Sequence, residues 1–318
     1  MANGETRTGG GETHAPGERE SGAARAVDAM NAVFGRQRRN RAIHAKGIVL
    51  DGTFTPNPGA GALSRAPHLR GQPSALTVRF SSFSGNPEVA DTDVMASPRG
   101  MALRFRLHDG SDTDLVAHSY DGFPVATPDD FRALLLALAA SPPDARRPTA
   151  AERFMREHPA ARAFLEAPHP LPVSYATLRY FGVNSFRFNN AAGRTRYGRY
   201  RLEPSGGEQV LPKGSAPGGD YLREELRARV HDGPVGYVLR VQLAAEGDRI
   251  EDPSIPWPAS RATIDVGSLA IDRVVGSGEA IEGPLLFSPA MLPPGIEAAD
   301  PMLAARDAAY PVSYTRRH

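Results

Sequence analysis

The chain reads as an α+β protein built on a closed antiparallel β-barrel of about eight strands, with a helical insertion and outer helices. Three observations predict this. Short runs rich in β-branched and aromatic residues recur between turn signals, four before position 120 and four after 175. The stretch between them has helix caps and helical periodicity instead. The 318 residues include 32 glycines and 29 prolines, a loop-rich composition that suits such a fold better than a helix bundle.

Residues 1–22 are Gly-rich and charged, which predicts a disordered tail, with one folded domain over 23–318. Ala23 to Phe34 is a short amphipathic helix. Arg41 to Pro56 reads as a strand bent at Gly47 and Gly52. The next strand, Leu76 to Gly85, carries Arg79 and Ser81 on one face. A turn at Ser97-Pro98-Arg99-Gly100 leads to the strand Met101–Leu107, whose Arg104 and Arg106 are read as a solvated face. Thr113–Ala117 follows. Thr127 caps a helix from Pro128, with Asp129 and Asp130 in its first turn. Thr149 caps a second, broken at Pro159. Strands return at Tyr175–Phe188, Thr195–Leu202, Gly236–Leu243 and Gly267–Val275, with a short helix at Asp220–His231.

Composition excludes several chemistries. Net charge is +1, from 37 basic and 36 acidic residues, so no field draws the chain to nucleic acid or an anionic membrane. Without cysteine there are no disulfides, thiolate nucleophiles, iron–sulfur clusters or thiolate-ligated haem. The longest apolar run, Ala133 to Ala140, is too short to span a bilayer. No signal-peptide pattern opens the sequence, and a cytoplasmic location is expected.

Arg306 and Tyr310 are four residues apart near the C-terminus and share one helix face, to which Arg317 returns two turns later. Pro311 should kink or restart that helix. An adjacent guanidinium favours a phenolate, as does a ferric ion, so Tyr310 is a candidate metal ligand. On these residues alone, a packing helix with solvated arginines is the alternative. His44 among apolar neighbours could equally be a core histidine.

Read in order, Arg41-x-x-His44-Ala-Lys-Gly47, Val78-Arg79-Phe-Ser81, Pro98-Arg-Gly-x-Ala-Leu-x-Phe105, Asp114-Leu-Val116 and Arg306-x-x-x-Tyr310-Pro resemble the haem catalase core over residues 37–318. The chain looks like the minimal catalase-related peroxidases, which keep the barrel and haem site without the threading arm and C-terminal helical domain. The resemblance implies a haem b cofactor with Tyr310 as iron ligand, held as tyrosinate by Arg306. Arg41, Arg79 and Arg317 would meet the propionates. His44 would be the distal acid–base group, oriented by Ser81, and Phe131 would stack near the haem edge. Where the family has Asp-Leu-Val-x-Asn, this chain has His118. An imidazole offers one N–H where the amide offers two. The alternative is that His118 turns away from the haem as a surface or packing residue; the amide is missing in either case.

The implied function is a haem peroxidase that cleaves hydrogen peroxide or organic hydroperoxides. The ferryl intermediate would be reduced by small organic donors, and catalase activity would be weak. A hydroperoxide-rearranging enzyme resembling allene oxide synthases, or a non-catalytic haem-binding protein, are the alternatives. Neither nucleic acid nor membrane is an expected partner, and a homo-oligomer is left open.

Overall fold

The computed structural model describes residues 16–318. Of the expected tail, positions 1–15 lie outside the described residues. Positions 16–22 belong instead to the first helix, α1 (Pro16–Phe34), which starts well ahead of the expected Ala23.

Eight strands close a barrel: β1 (Gly47–Pro56), β2 (Ser74–Ser81), β3 (Gly100–Arg106), β4 (Asp112–His118), β5 (Tyr180–Asn189), β6 (Thr195–Pro204), β7 (Val235–Leu243) and β8 (Thr263–Gly276). All neighbours are antiparallel, in the order β4-β3-β2-β1-β8-β7-β6-β5, and His118 pairing with Phe181 closes the ring between β4 and β5. Closure removes the unpaired edges that an open sheet would present. A short ninth strand, β9 (Ile296–Ala298), adds to β5 beyond the closure. Its three residues are too few to show an alternating pattern in sequence.

Pleating sorts the side chains. Along β2, Leu76, Val78 and Phe80 enter the barrel core, while Arg79 and Ser81 face outward. The core mixes aliphatic with large aromatic side chains, and Tyr175, Tyr180, Tyr237 and Phe80 are fully buried. Tyr180 and Tyr237 both donate their hydroxyls to the Tyr175 carbonyl, at 3.0 and 2.8 Å, which satisfies two buried polar groups at once.

The insertion between β4 and β5 is helical as expected. The Thr127 hydroxyl caps α2 (Pro128–Ala139) by accepting from the Asp130 N–H. Thr149 and Glu152 form a full capping box on α3 (Ala150–Glu157), and Pro159 opens α4 (Pro159–Leu165). After β7's preceding helix α5 (Tyr221–Asp232) and the one-turn α6 (Glu279–Glu282), the chain ends in α7 (Pro301–Thr315). Helix α7 runs through Pro311 without interruption, so the helix does not restart there. Helix α1 packs its small apolar face on α7 through Ala23, Val27 and Ala309.

Two local expectations are corrected. Arg41–Lys46 is not strand: β1 begins only at Gly47, and His44 sits in the preceding loop in the left-handed region at φ +61°. Arg104 is not solvated. Its register partner across the β3–β4 ladder is Asp114, which it grips through Nε and Nη2 at 2.8 and 2.7 Å.

The barrel also buries a histidine. His68 packs against Phe54 and Phe105, its Nδ1 has no hydrogen-bond partner, and burial lowers its pKa to about 3. The folded state therefore holds it neutral while the unfolded chain takes up a proton below its ordinary value of 6.5. Between these two pH values stability falls as pH falls, by at most about 1.4 kcal/mol per pH unit for this group. His68→Phe should be neutral or stabilising at pH 7 and should flatten the acid decline between pH 6.5 and 4. Urea melts of both proteins across that range measure the difference.

Candidate active site

A cavity of about 1200 Å³, counted out to solvent, lies against the outer face of β2–β4. Helix α7 covers it from one side and the segment from Leu285 to Phe287 from another. That segment is pinned to the barrel by the Arg104–Asp114 ion pair. Asp114 accepts from the Ser288 N–H, and Arg104 Nη2 reaches the Leu286 carbonyl at 2.5 Å. The nine side chains singled out in the sequence, His44, Ser81, His118, Arg41, Arg79, Phe131, Arg306, Arg317 and Tyr310, all line this one cavity.

On one wall stand two histidines. His44 Nδ1 lies 3.1 Å from Ser81 Oγ, and its ring stands edge-on to Phe83. It also lies directly over Gly100, where a Cβ would come within 2.8 Å of the ring and 2.6 Å of Ser81 Oγ. The Pro-Arg-Gly motif therefore supplies a glycine because the imidazole occupies that space. Burial first, and Arg79 second, lower the His44 pKa to about 3, so it is a neutral base at physiological pH. His118 is likewise lowered to about 3, mainly by burial. Its Nδ1 accepts from the Tyr120 N–H at 3.3 Å, which leaves the proton on Nε2. That buried Nε2 has no partner.

Across the cavity is Tyr310. Arg306 Nη2 donates to its phenolic oxygen at 3.1 Å. Arg306 is held in turn by a chain that sequence reasoning missed. Its Nη1 donates to Asn184 Oδ1 at 2.5 Å, and the Asn184 amide donates to both oxygens of Asp300, at 3.0 and 2.8 Å. Asp300 is also the N-cap of α7, accepting from the Leu303 N–H at 3.1 Å. Asn184 can take part because β5 breaks register between Gly182 and Phe186, a bulge that turns residues 183–185 out of the ladder. Burial raises the pKa of Asp300, and the three donors around it oppose that shift.

At a third edge, Arg41, Arg79 and Arg317 crowd together with one carboxylate, Glu282. Burial first and the neighbouring cations next lower the pKa of Arg41 and Arg317, the latter to about 10. Arg317 Nε is buried without a partner. Crowded cations with an orphaned donor suit a ligand bearing carboxylates. Apolar walls, including Phe131, Met101 and Ile43, suit a flat hydrophobic body.

Two cationic motif residues do not reach the cavity. Lys46 is buried behind it between Asp91 and Asp220, and Arg99 donates to the carbonyls of Ala96 and Asp91. They order the loop that carries Phe83 and Pro98.

Fold and site together define a barrel protein whose external pocket is lined by a tyrosine, two histidines and a cluster of arginines. Residues 25–318 match the family profile described as Catalase. A catalase-related peroxidase from Mycolicibacterium paratuberculosis is 37% identical over 298 residues, covering 92% of this chain and 93% of that one. One from Synechococcus elongatus is 33% identical over 299 residues, covering 92% and 87%. Catalase A from Saccharomyces cerevisiae superposes with a TM-score of 0.77 at 21% identity, over 92% of this chain and 64% of that one. A fungal catalase gives 0.76 at 22% identity, over 92% and 61%. The chain belongs to the catalase family.

Asn184→Ala would take one partner from Arg306 and one from buried Asp300, which keep the Tyr310 hydroxyl and the Ser185 and Leu303 N–H groups respectively. A loss of about 1.5–3 kcal/mol, that of a hydrogen bond to a charged group, is expected. Urea unfolding of the haem-free protein should show it; a loss under about 0.5 kcal/mol would mean that water replaces the amide.

Proposed function

We propose that the protein is a haem-dependent peroxidase of the catalase type, acting on hydrogen peroxide or organic hydroperoxides and drawing electrons from small organic donors. The observation that carries this reading is Tyr310, with a guanidinium on its oxygen, facing neutral His44 across one cavity. Tyrosine ligation of haem iron is the known catalase arrangement. The residues present fit haem b: Tyr310 for the iron, Arg306 to hold the phenol as tyrosinate, and Arg41, Arg79 and Arg317 for the propionate edge.

When bound, haem supplies a redox-active iron that accepts oxidising equivalents from peroxide and passes them to a donor. The chain's own residues do the rest. Neutral His44 takes a proton from one peroxide oxygen and returns it to the other, with Ser81 fixing the ring. Phe131 and the apolar walls keep water from competing. His118 offers one N–H from Nε2 to a bound peroxide. A second peroxide must be held and polarised again before oxygen can be released, whereas an organic donor needs only an accessible edge. The single donor of His118 therefore favours peroxidase turnover over oxygen release.

Tyr310→Phe should lose haem or change its absorption spectrum, and His44→Ala should keep haem while reacting with peroxide about 10² to 10⁴ times more slowly. Stopped-flow spectra of both variants test the pair, and an unaltered spectrum in Tyr310→Phe would remove the assignment. Because His44 stays neutral down to about pH 3, the wild-type rate should be flat from about pH 8 to pH 5, with no loss near 6.5.

His118→Asn should raise oxygen evolution more than it raises oxidation of a phenolic dye. An oxygen electrode beside a dye assay decides the point. Equal movement of both activities would show that His118 does not set their balance.

A further inference from the structure

Arg79 is already occupied by protein. Its Nε donates to Glu282 Oε2 at 2.6 Å, and Nη2 lies 2.6 Å from the same oxygen. Nη2 also donates to the His44 carbonyl at 2.8 Å and approaches the Ala45 carbonyl at 3.4 Å. Two of its three nitrogens are thus committed away from any ligand. Arg41 and Arg317 rest mainly on backbone: their Nη2 atoms donate to the carbonyls of Glu282, Gly283 and Leu285, and Arg41 Nη1 stands 3.7 Å from the Glu282 carboxylate that Arg79 grips at 2.6 Å.

The carbonyl that Arg79 grips belongs to a strained residue. His44 has φ +61°, a conformation uncommon for a residue with a side chain. Something must hold it there. The amide side is held by the His44 N–H on the Phe83 carbonyl and the Ala45 N–H on the Ser84 carbonyl, both at 2.9 Å. The carbonyl side is held by Arg79. Arg79 in turn is aimed by Glu282, whose other oxygen accepts from the Gly278 N–H at 3.2 Å. The chain makes room for this pair. A Cβ at Gly47 would come within 2.4 Å of Arg79 Nη2 and 2.8 Å of Glu282 Oε2.

We infer that Glu282 is a positioning residue for the distal histidine: it holds Arg79 so that the guanidinium clamps the His44 backbone, and with it the imidazole over Ser81 and Gly100. The same carboxylate offsets one of three guanidinium charges. Two positive charges are left for a cofactor with two carboxylates. This rests on the haem reading for its second half, while the clamp itself concerns the protein alone.

Glu282→Gln separates the two, since glutamine keeps the shape but not the charge that binds Arg79. On haem-free protein, hydrogen–deuterium exchange over residues 43–47 should be about tenfold faster in the variant, with peptides from β7 unchanged. On haem-loaded protein, the cyanide association rate per haem should fall by about tenfold or more, because hydrogen cyanide must give its proton to a correctly placed distal base before the anion binds. A merely structural carboxylate would lower the melting temperature and leave both rates alone. Unaltered exchange over 43–47, or a cyanide rate within twofold of wild type in a fully loaded variant, would overturn the inference. If Glu282→Gln does not fold, Arg79→Lys makes the same cut from the other side: it keeps the charge on Glu282 but cannot reach the carboxylate and the His44 carbonyl together. If wild type takes up no haem, the haem reading fails, and the exchange measurement alone decides the clamp.

Discussion

One buried carboxylate joins the C-terminal helix to the barrel. Asp300 caps α7, accepts the Ser185 N–H from the bulge in β5, and fixes the Asn184 amide. Each of these bonds satisfies a group that would otherwise be costly to bury. Together they set where α7 begins and at what rotation it lies. Rotation decides which face of the helix meets the cavity, so Arg306 and Tyr310 inherit their direction from a residue that touches none of the chemistry. Arg317 lies in the turn beyond the end of α7 and not on the helix face expected for it, because the helix stops at Thr315. Asn184 is an amide and neither takes up nor releases a proton. The chain from Asp300 to Tyr310 therefore orients the phenol without acting as a proton path.

The two walls are built in opposite ways. The tyrosine side stands on a regular helix, its spacing set by the helical turn. The histidine side stands on an irregular loop held by bonds from several places: Phe83 and Ser84 behind it, Arg79 beside it, Ser81 and Gly100 beneath. A loop can hold a left-handed histidine only when its surroundings over-determine the conformation. The dense ring of partners around residues 42–47 is the physical counterpart of that requirement.

This contrast explains what could be read from the sequence. Arg306 and Tyr310 were legible because helical spacing places them together. Arg79 and Ser81 were legible because strands alternate, and the caps at Thr127 and Thr149 because capping is local chemistry. Asn184 and Asp300 were not, since a bulge and a distant N-cap leave no periodic signature and their partnership spans 116 positions. Glu282 was hidden in the same way, as the last residue of a single-turn helix. Arg104 was misread although a signal existed: folding the hairpin about the turn at 108–110 puts Asp114 opposite it. The His44 loop was misread as strand because its apolar residues run straight into β1.

Strand β2 has a double duty with a practical consequence. Phe80 fills the barrel core, while Arg79 and Ser81 on either side of it form the cavity wall. Interiors are packed as densely as crystals and transmit small shifts instead of absorbing them. Repacking at Val78 or Phe80 would therefore move the very backbone that carries the histidine's supports. In this molecule the inside of the barrel and the pocket outside it are two surfaces of one sheet one residue thick. Selection for a better-filled core and selection for a better-tuned pocket act on the same atoms, and neither can be changed for long without the other.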